Sequence, residues 1–198
     1  MTKTSNTSKL RTIGVAAVIA LSGAAFVGCT TTGRTDTPST ASAARSIDAG
    51  VDATLSRLYN TVPGAREMVS RSAGVLVFPS VVGGSLIVGA EHGKGALRQG
   101  GRTTGYYQTT TGSVGFQAGA QSKSVIYVFN TKEALDKFLA SNGWTVGADA
   151  TVSIAKLGAN GHIDSQTIQQ PVSGFIMANQ GLEVGASVEG SKITRITP

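Results

Sequence analysis

Cysteine is nearly absent. One residue, Cys29, is the whole complement of a 198-residue chain. No internal disulfide can form, and no paired-cysteine metal or redox motif exists. Histidine is almost as scarce. His92 and His162 each sit in a glycine-rich turn, and no HExxH or other metal-ligand spacing occurs. Ser85 follows Gly83-Gly84 but lacks the G-x-S-x-G frame of a nucleophile elbow. The glycine runs fit neither a P-loop nor a dinucleotide fingerprint. Charged residues make up only 14% of the chain, and the carboxylates are scattered. No nucleophile–base pair emerges, which points to a non-enzymatic protein with no catalytic residue, metal or cofactor. A long hydrophobic run is missing too: Ile13 to Val27 is too short and too broken by glycine for a comfortable membrane span.

That apolar run makes sense as part of a leader. Lys3, Lys9 and Arg11 precede it, and it ends in Phe26-Val27-Gly28-Cys29. The ending resembles a bacterial lipobox, which implies a signal peptide over residues 1–28 and lipidation of Cys29. Lipidation also explains an odd cysteine in an exported protein. Several acyl chains on one residue anchor a protein durably, whereas a single chain binds only marginally. Thr30 stands where an inner-membrane retention signal has Asp, so the expected location is the outer membrane, facing the periplasm. Residues 29–44 are rich in Ser, Thr and Ala and read as a flexible tether behind the lipidated cysteine. The formal net charge of +6 falls to +3 once the three leader cations are removed. A balance this small does not indicate nucleic acid as a partner.

Residues 45–198 are long enough for one domain with its own core. Ile47, Val51, Leu55 and Leu58 recur at helical spacing, predicting a helix over 45–60 with Asp48, Asp52 and Arg57 on its opposite side. Pro63-Gly64 ends it, and 65–72 predicts a short second helix. Two apolar strands, 75–78 and 85–91, are expected around a corner at Pro79 and Gly83-Gly84. Residues 91–98 read as a mobile polar corner, followed by a turn at Gly100-Gly101. Strands are expected over 103–110, 113–120, 125–129, 145–155, 174–178, 181–189 and 192–196, with 166–170 as a polar edge. Turns are expected at 110–112 and 121–123. A helix over 130–142 has Asn130 as its N-cap, Glu133 in a capping box and Gly143 as its stop. Trp144 behind it is a core anchor. The ending Val-Gly-Ala recurs loosely at 88–90, 146–148 and 184–186, with Ala-Gly-Ala at 118–120. With 26 glycines in all, these small residues suggest close packing in a bent sheet. The fold expected is α+β: a curved, glycine-rich antiparallel sheet, barrel-like or a sandwich, with two or three packed helices.

Three segments point further. Gly74 to Val82 (GVLVFPSVV) with Val88 to Gly95 (VGAEHGKG), Ser113 to Gln121 (SVGFQAGAQ), and the closing run from Gly174-Phe175 to Gly190 resemble the SYLF-domain family, in order, over nearly all of 51–196. That family has eukaryotic members linked to actin patches and endocytic membranes, and many bacterial lipoprotein members. The resemblance implies non-catalytic binding of phospholipids, phosphoinositides in particular. The residues expected to hold anionic headgroups are Lys94, Arg98 and Arg102, with Lys123 in addition, because 94–102 is the local run of excess positive charge in the folded part. The alternative is a structural or interaction lipoprotein that binds an envelope protein or the cell wall.

Overall fold

A computed structural model describes residues 39–85, 88–114, 117–157, 162–178, 181–183 and 186–198. The leader, Cys29 and residues 30–38 lie outside them. Residues 36–198 form one compact unit, and every member of both core clusters falls between Val51 and Ile193. The unit therefore carries its own core.

The helices are α1 (Thr40–Thr61), α2 (Ala65–Arg71), α3 (Lys132–Ala140) and α4 (Ser165–Gln169). The strands are β1 (Gly74–Ser85), β2 (Val88–Gln99), β3 (Arg102–Val114), β4 (Gln117–Phe129), β5 (Trp144–Thr145), β6 (Ser153–Ile154), β7 (Val172–Ala178), β8 (Gly181–Leu182) and β9 (Lys192–Ile196). They form one sheet in the order β5-β9-β3-β2-β1-β4-β7-β6, with β8 on β7. The α+β expectation holds, and the sheet is a strongly curled half-barrel. It is mixed rather than antiparallel throughout, because β6 pairs β7 in parallel. Among the described residues there are four helices rather than two or three.

Connectivity explains the curl. β5 and β6 lie at opposite ends of the strand order, yet only the segment between Thr145 and Ser153 joins them. Eight residues of chain reach about 28 Å at most. Eight flat strands would span roughly 34 Å, so the sheet has to bend.

The long central strands correct several expectations. The corner at Pro79 is a bulge inside a continuous β1, with the register shifting between Val77 and Ser80 against β2 and between Phe78 and Val81 against β4. A bulge is where a central strand tolerates a proline that cannot donate to the ladder. The residues 91–98 are ordinary ladder, and the register runs unbroken from Val88↔Val114 to Leu97↔Gly105. The turns expected at 110–112 and 121–123 fall inside β3 and β4, where pairing with β2 and with β1 outweighs local turn chemistry. The turn at Gly100-Gly101 is present. Both residues have positive φ (55° and 79°) and close a two-residue hairpin between Gln99 and Arg102, which favours glycine strongly.

The ends of elements also moved. α1 starts five residues before Arg45, because Ser39 caps it through the Ser42 amide at 3.3 Å, and Ala41, Ala43 and Ala44 are strong helix formers. Residues 40–44 are therefore helix, not tether. Thr131, not Asn130, caps α3 by accepting from the Ala134 amide, so Glu133 is not at the capping-box position. Asn130 instead donates to Gln170 O and Ser173 Oγ. α3 ends at Ala140 with Ser141 as its C-cap, before Gly143. Residues 165–169 are helix rather than edge strand. Only β5 and β6 form within 145–155, and Gly147 is a turn residue at φ 91°. Within 181–189 only β8 forms among the described residues, and Val184 and Gly185 lie outside them.

Two cores sit on the two faces of the sheet. One face carries Leu76, Phe78, Leu97, Tyr127, Phe129 and Ile176, covered by Leu135 and Phe138 of α3 and by Trp144. Trp144 is buried as expected and meets Phe138 and Tyr127 edge-on. The other face carries Val75, Val77, Ala96, Ile126, Val128 and Phe175 under Val51 and Leu58 of α1 and Met68 of α2.

Candidate functional site

Side chains alternate along a strand, and on β2 this sorts the predicted cations. Ala96 packs under α1 while Leu97 packs on the α3 side. His92, Lys94, Ala96 and Arg98 therefore share the α1 face. The expectation that Lys94 and Arg98 project together holds for parity, but their surroundings differ completely.

Arg98 is drawn into a clamp beneath α1. Its Nη2 donates to Asp52 Oδ1 at 2.7 Å and lies 3.6 Å from Asp48 Oδ1. Asp48 is held from two further sides: it accepts from Thr103 Oγ1 at 2.6 Å and from Tyr106 Oη at 2.8 Å. The Arg98 side chain is only 15% exposed, and its buried Nε has no hydrogen-bond partner. The acids expected on the outer side of the helix thus flank its contact with the sheet. Arg57 behaves likewise, donating to Ser124 Oγ and Met177 O. Burial of the Tyr106 phenol, reinforced by its hydrogen bond to Asp48, raises its pKa above the usual tyrosine value.

Lys94 lies beyond the clamp. It is exposed and forms no ion pair among the described residues. Ser80 stands opposite it on β1 and Gln108 on β3. One pair further along, His92 faces Val82 on one side and Thr110 on the other. Val82 is 49% exposed, large for a valine in a central strand. Ser80 and Ser122 hydroxyls join at 2.9 Å on the same face. The result is a polar surface with one free cation and one bare apolar side chain.

The other two predicted residues go elsewhere. Arg102 is exposed at the Gly100-Gly101 turn; its neighbour Thr103 bonds Asp48 on the α1 face, so Arg102 alternates to the opposite side. Lys123 lies on the α3 side, where it pairs with Glu91 at 2.9 Å, both side chains less than a quarter exposed. The nearby Tyr127 phenol is pushed far above the usual range, chiefly by burial and further by Glu91. The four cations therefore do not form one basic corner. The readable signal for the clamp was the i, i+4 pair Asp48/Asp52 on a helix otherwise matched to the sheet.

Residues 110–197 match the family model described as Ysc84, Las17-binding protein actin regulator. The match covers 88 of the 198 residues, and over that part the chain is similar to the SYLF-domain family. The matched part runs from the end of β3 through β9. It includes Lys123, while Lys94, Arg98 and Arg102 precede it. No curated protein matches the chain. Among the described residues, no helix is long and apolar enough to cross a membrane.

Proposed function

We propose that this protein is a non-enzymatic envelope lipoprotein, anchored through Cys29 in the outer membrane, whose SYLF domain binds anionic phospholipid headgroups. The leader ending in Phe26-Val27-Gly28-Cys29 supports the anchor. The observation that carries headgroup binding is Lys94: an unpaired, exposed cation on a sheet face left open beyond α1, beside exposed His92 and Val82. A basic side chain at an anionic surface contributes about 1 kcal/mol, and a neighbouring apolar side chain adds contact with the interface.

The test is co-sedimentation of residues 36–198 with phosphatidylcholine vesicles and with vesicles containing phosphatidylglycerol, at low and high salt. Salt-sensitive binding to the anionic vesicles alone is the expected result. Lys94→Glu reverses one charge and should weaken it by about 30-fold, from about 2 kcal/mol. Arg98→Glu is not an equivalent probe, since it breaks the clamp. Equal binding by the wild type and Lys94→Glu removes this site.

The family description names a protein-binding actin regulator, which favours a second reading: a module that binds an envelope protein. Recovery of one stoichiometric partner by the domain, with no vesicle affinity, selects it.

A further inference from the structure

A cavity of about 480 Å³ opens between α1, α2, β1 and the Gly100-Gly101 turn. It lies on the α1 face, at the clamp. Leu55, Tyr59 and Val69 form an apolar side, while Arg66 and Arg98 contribute guanidinium groups. Asp52 is also in the wall and accepts from Arg98 Nη2.

Arg66 gives the cavity an unmet preference for an anion. It has no carboxylate partner among the described residues; its guanidinium lies 4.4 Å from the centre of the Tyr59 ring. Arg98 is already engaged: its Nη groups donate to Asp52, to Asp48 O at 3.4 Å and to Gly101 O at 3.4 Å, Asp48 Oδ1 lies 3.6 Å away, and its Nε is buried, so it shapes the wall. The volume is in the range of small-ligand pockets, and an apolar side facing two guanidinium groups suits a small organic phosphate better than a bare inorganic ion. Planar guanidinium groups match phosphate oxygens in geometry as well as charge.

We propose that this cavity binds a phosphate monoester carried on a small glycerol-like group, with Arg66 as its cationic partner and Arg98 in the wall behind it. The ligand class rests on the anionic-headgroup reading, but the site is separate from Lys94. The same chemistry could come from a soluble ester or from a lipid, and the test separates them. Residues 36–198 are titrated with glycerol 3-phosphate while the amide resonances of Ser70, Ser72, Gly100 and Gly101 are followed by NMR. In a second arm they are sedimented with vesicles containing phosphatidic acid, which presents the same monoester. Arg66 is exposed, so Arg66→Gln leaves the fold intact and should lower affinity at least tenfold in whichever arm binds. Arg66→Lys keeps the charge but not the planar fork and should recover only part of it. Loss in the soluble arm alone assigns a soluble ester; loss in both assigns the headgroup; loss in the vesicle arm alone assigns a site that needs the membrane-bound lipid. No binding in either arm, binding that Arg66→Gln leaves unchanged, or full recovery with Arg66→Lys overturns the proposal. Lys94→Glu should leave the glycerol 3-phosphate titration unchanged, so failure of the exposed sheet face and failure of the cavity are told apart.

Discussion

Gly95 tests the account of the central sheet most directly. It lies in β2 beside the Pro79 bulge of β1. A Cβ placed there falls on the Val77 carbonyl, 2.8 Å from its carbon, and 2.7 Å from Phe78 Cδ1. The obstacle is mostly backbone, between two strands that are both hydrogen-bonded on their other sides, so it cannot rotate away. Gly95→Ala must push β1 from β2 or flatten the bulge. Overpacking of this kind costs about 3 kcal/mol. For a domain of this size that is a fall in Tm of about 6–12 °C. Gly112 is the control: also a strand glycine, but with nothing within 4 Å of its Cβ position. Gly112→Ala should gain about 0.5 kcal/mol by restricting the unfolded chain. Both variants of residues 36–198 can be followed by thermal and urea unfolding. If Gly95→Ala melts within 2 °C of Gly112→Ala, by the scale just used, close strand approach is not why glycine occupies position 95.

The Glu91–Lys123 pair should show strong coupling. Lys123→Met leaves a carboxylate without its partner in a mostly covered site and should cost about 2 kcal/mol, while the double variant Glu91→Gln/Lys123→Met recovers at least half in urea denaturation. Tyr127 makes stability depend on alkaline pH. Its raised folded-state pKa favours the neutral phenol in the folded chain, so this contribution is whole below about pH 10 and is lost as pH rises from there toward the folded-state value. The urea midpoint should fall between pH 9 and pH 11, and Tyr127→Phe should reduce that fall. A cap provides a fourth check: Thr131→Ala removes the acceptor for the Ala134 amide and should cost about 1 kcal/mol, visible as the same loss in the urea midpoint.

Where one local rule decided the structure, sequence was enough. Gly100-Gly101 makes a two-residue hairpin, β9 (Lys192–Ile196) forms where expected, and Trp144 enters the core because so large an apolar surface has few other places to go. Where two rules competed, local reading failed. Thr110-Thr111-Gly112 carries turn chemistry but sits inside the β2–β3 ladder, and tertiary pairing won. Ala41 to Ala44 could be linker or helix, and the Ser39 cap decided it. The charge run 94–102 failed for another reason. It is one stretch in sequence, but strand alternation sends Arg102 to the other face, and two acids forty-six and fifty residues away take Arg98. No one-dimensional charge count can separate Lys94 from Arg98, since both are cations of the same parity in one strand.

What separates them is coverage. β2 has twelve residues and so extends about 40 Å, whereas a helix crossing it covers a band only about 10 Å wide. α1 crosses near Ala96 and Arg98, and among the described side chains beyond that band Ala90, His92 and Lys94 of β2 are exposed. An open central sheet face must satisfy water as well as its ladder. The chain places Ser80, Ser122, Gln108 and Thr110 there, which makes the face soluble. Val82 departs from this pattern, and Lys94 adds a charge that forms no ion pair among the described residues. An arginine in the position of Lys94 would have no Asp48 or Asp52 to engage, and a lysine in the position of Arg98 could not reach Asp52, Asp48 O and Gly101 O with one planar group. The different surroundings of the two cations therefore follow from where the helix stops covering the strand: Arg98 lies beneath α1 with Asp48 and Asp52, and Lys94 lies beyond it.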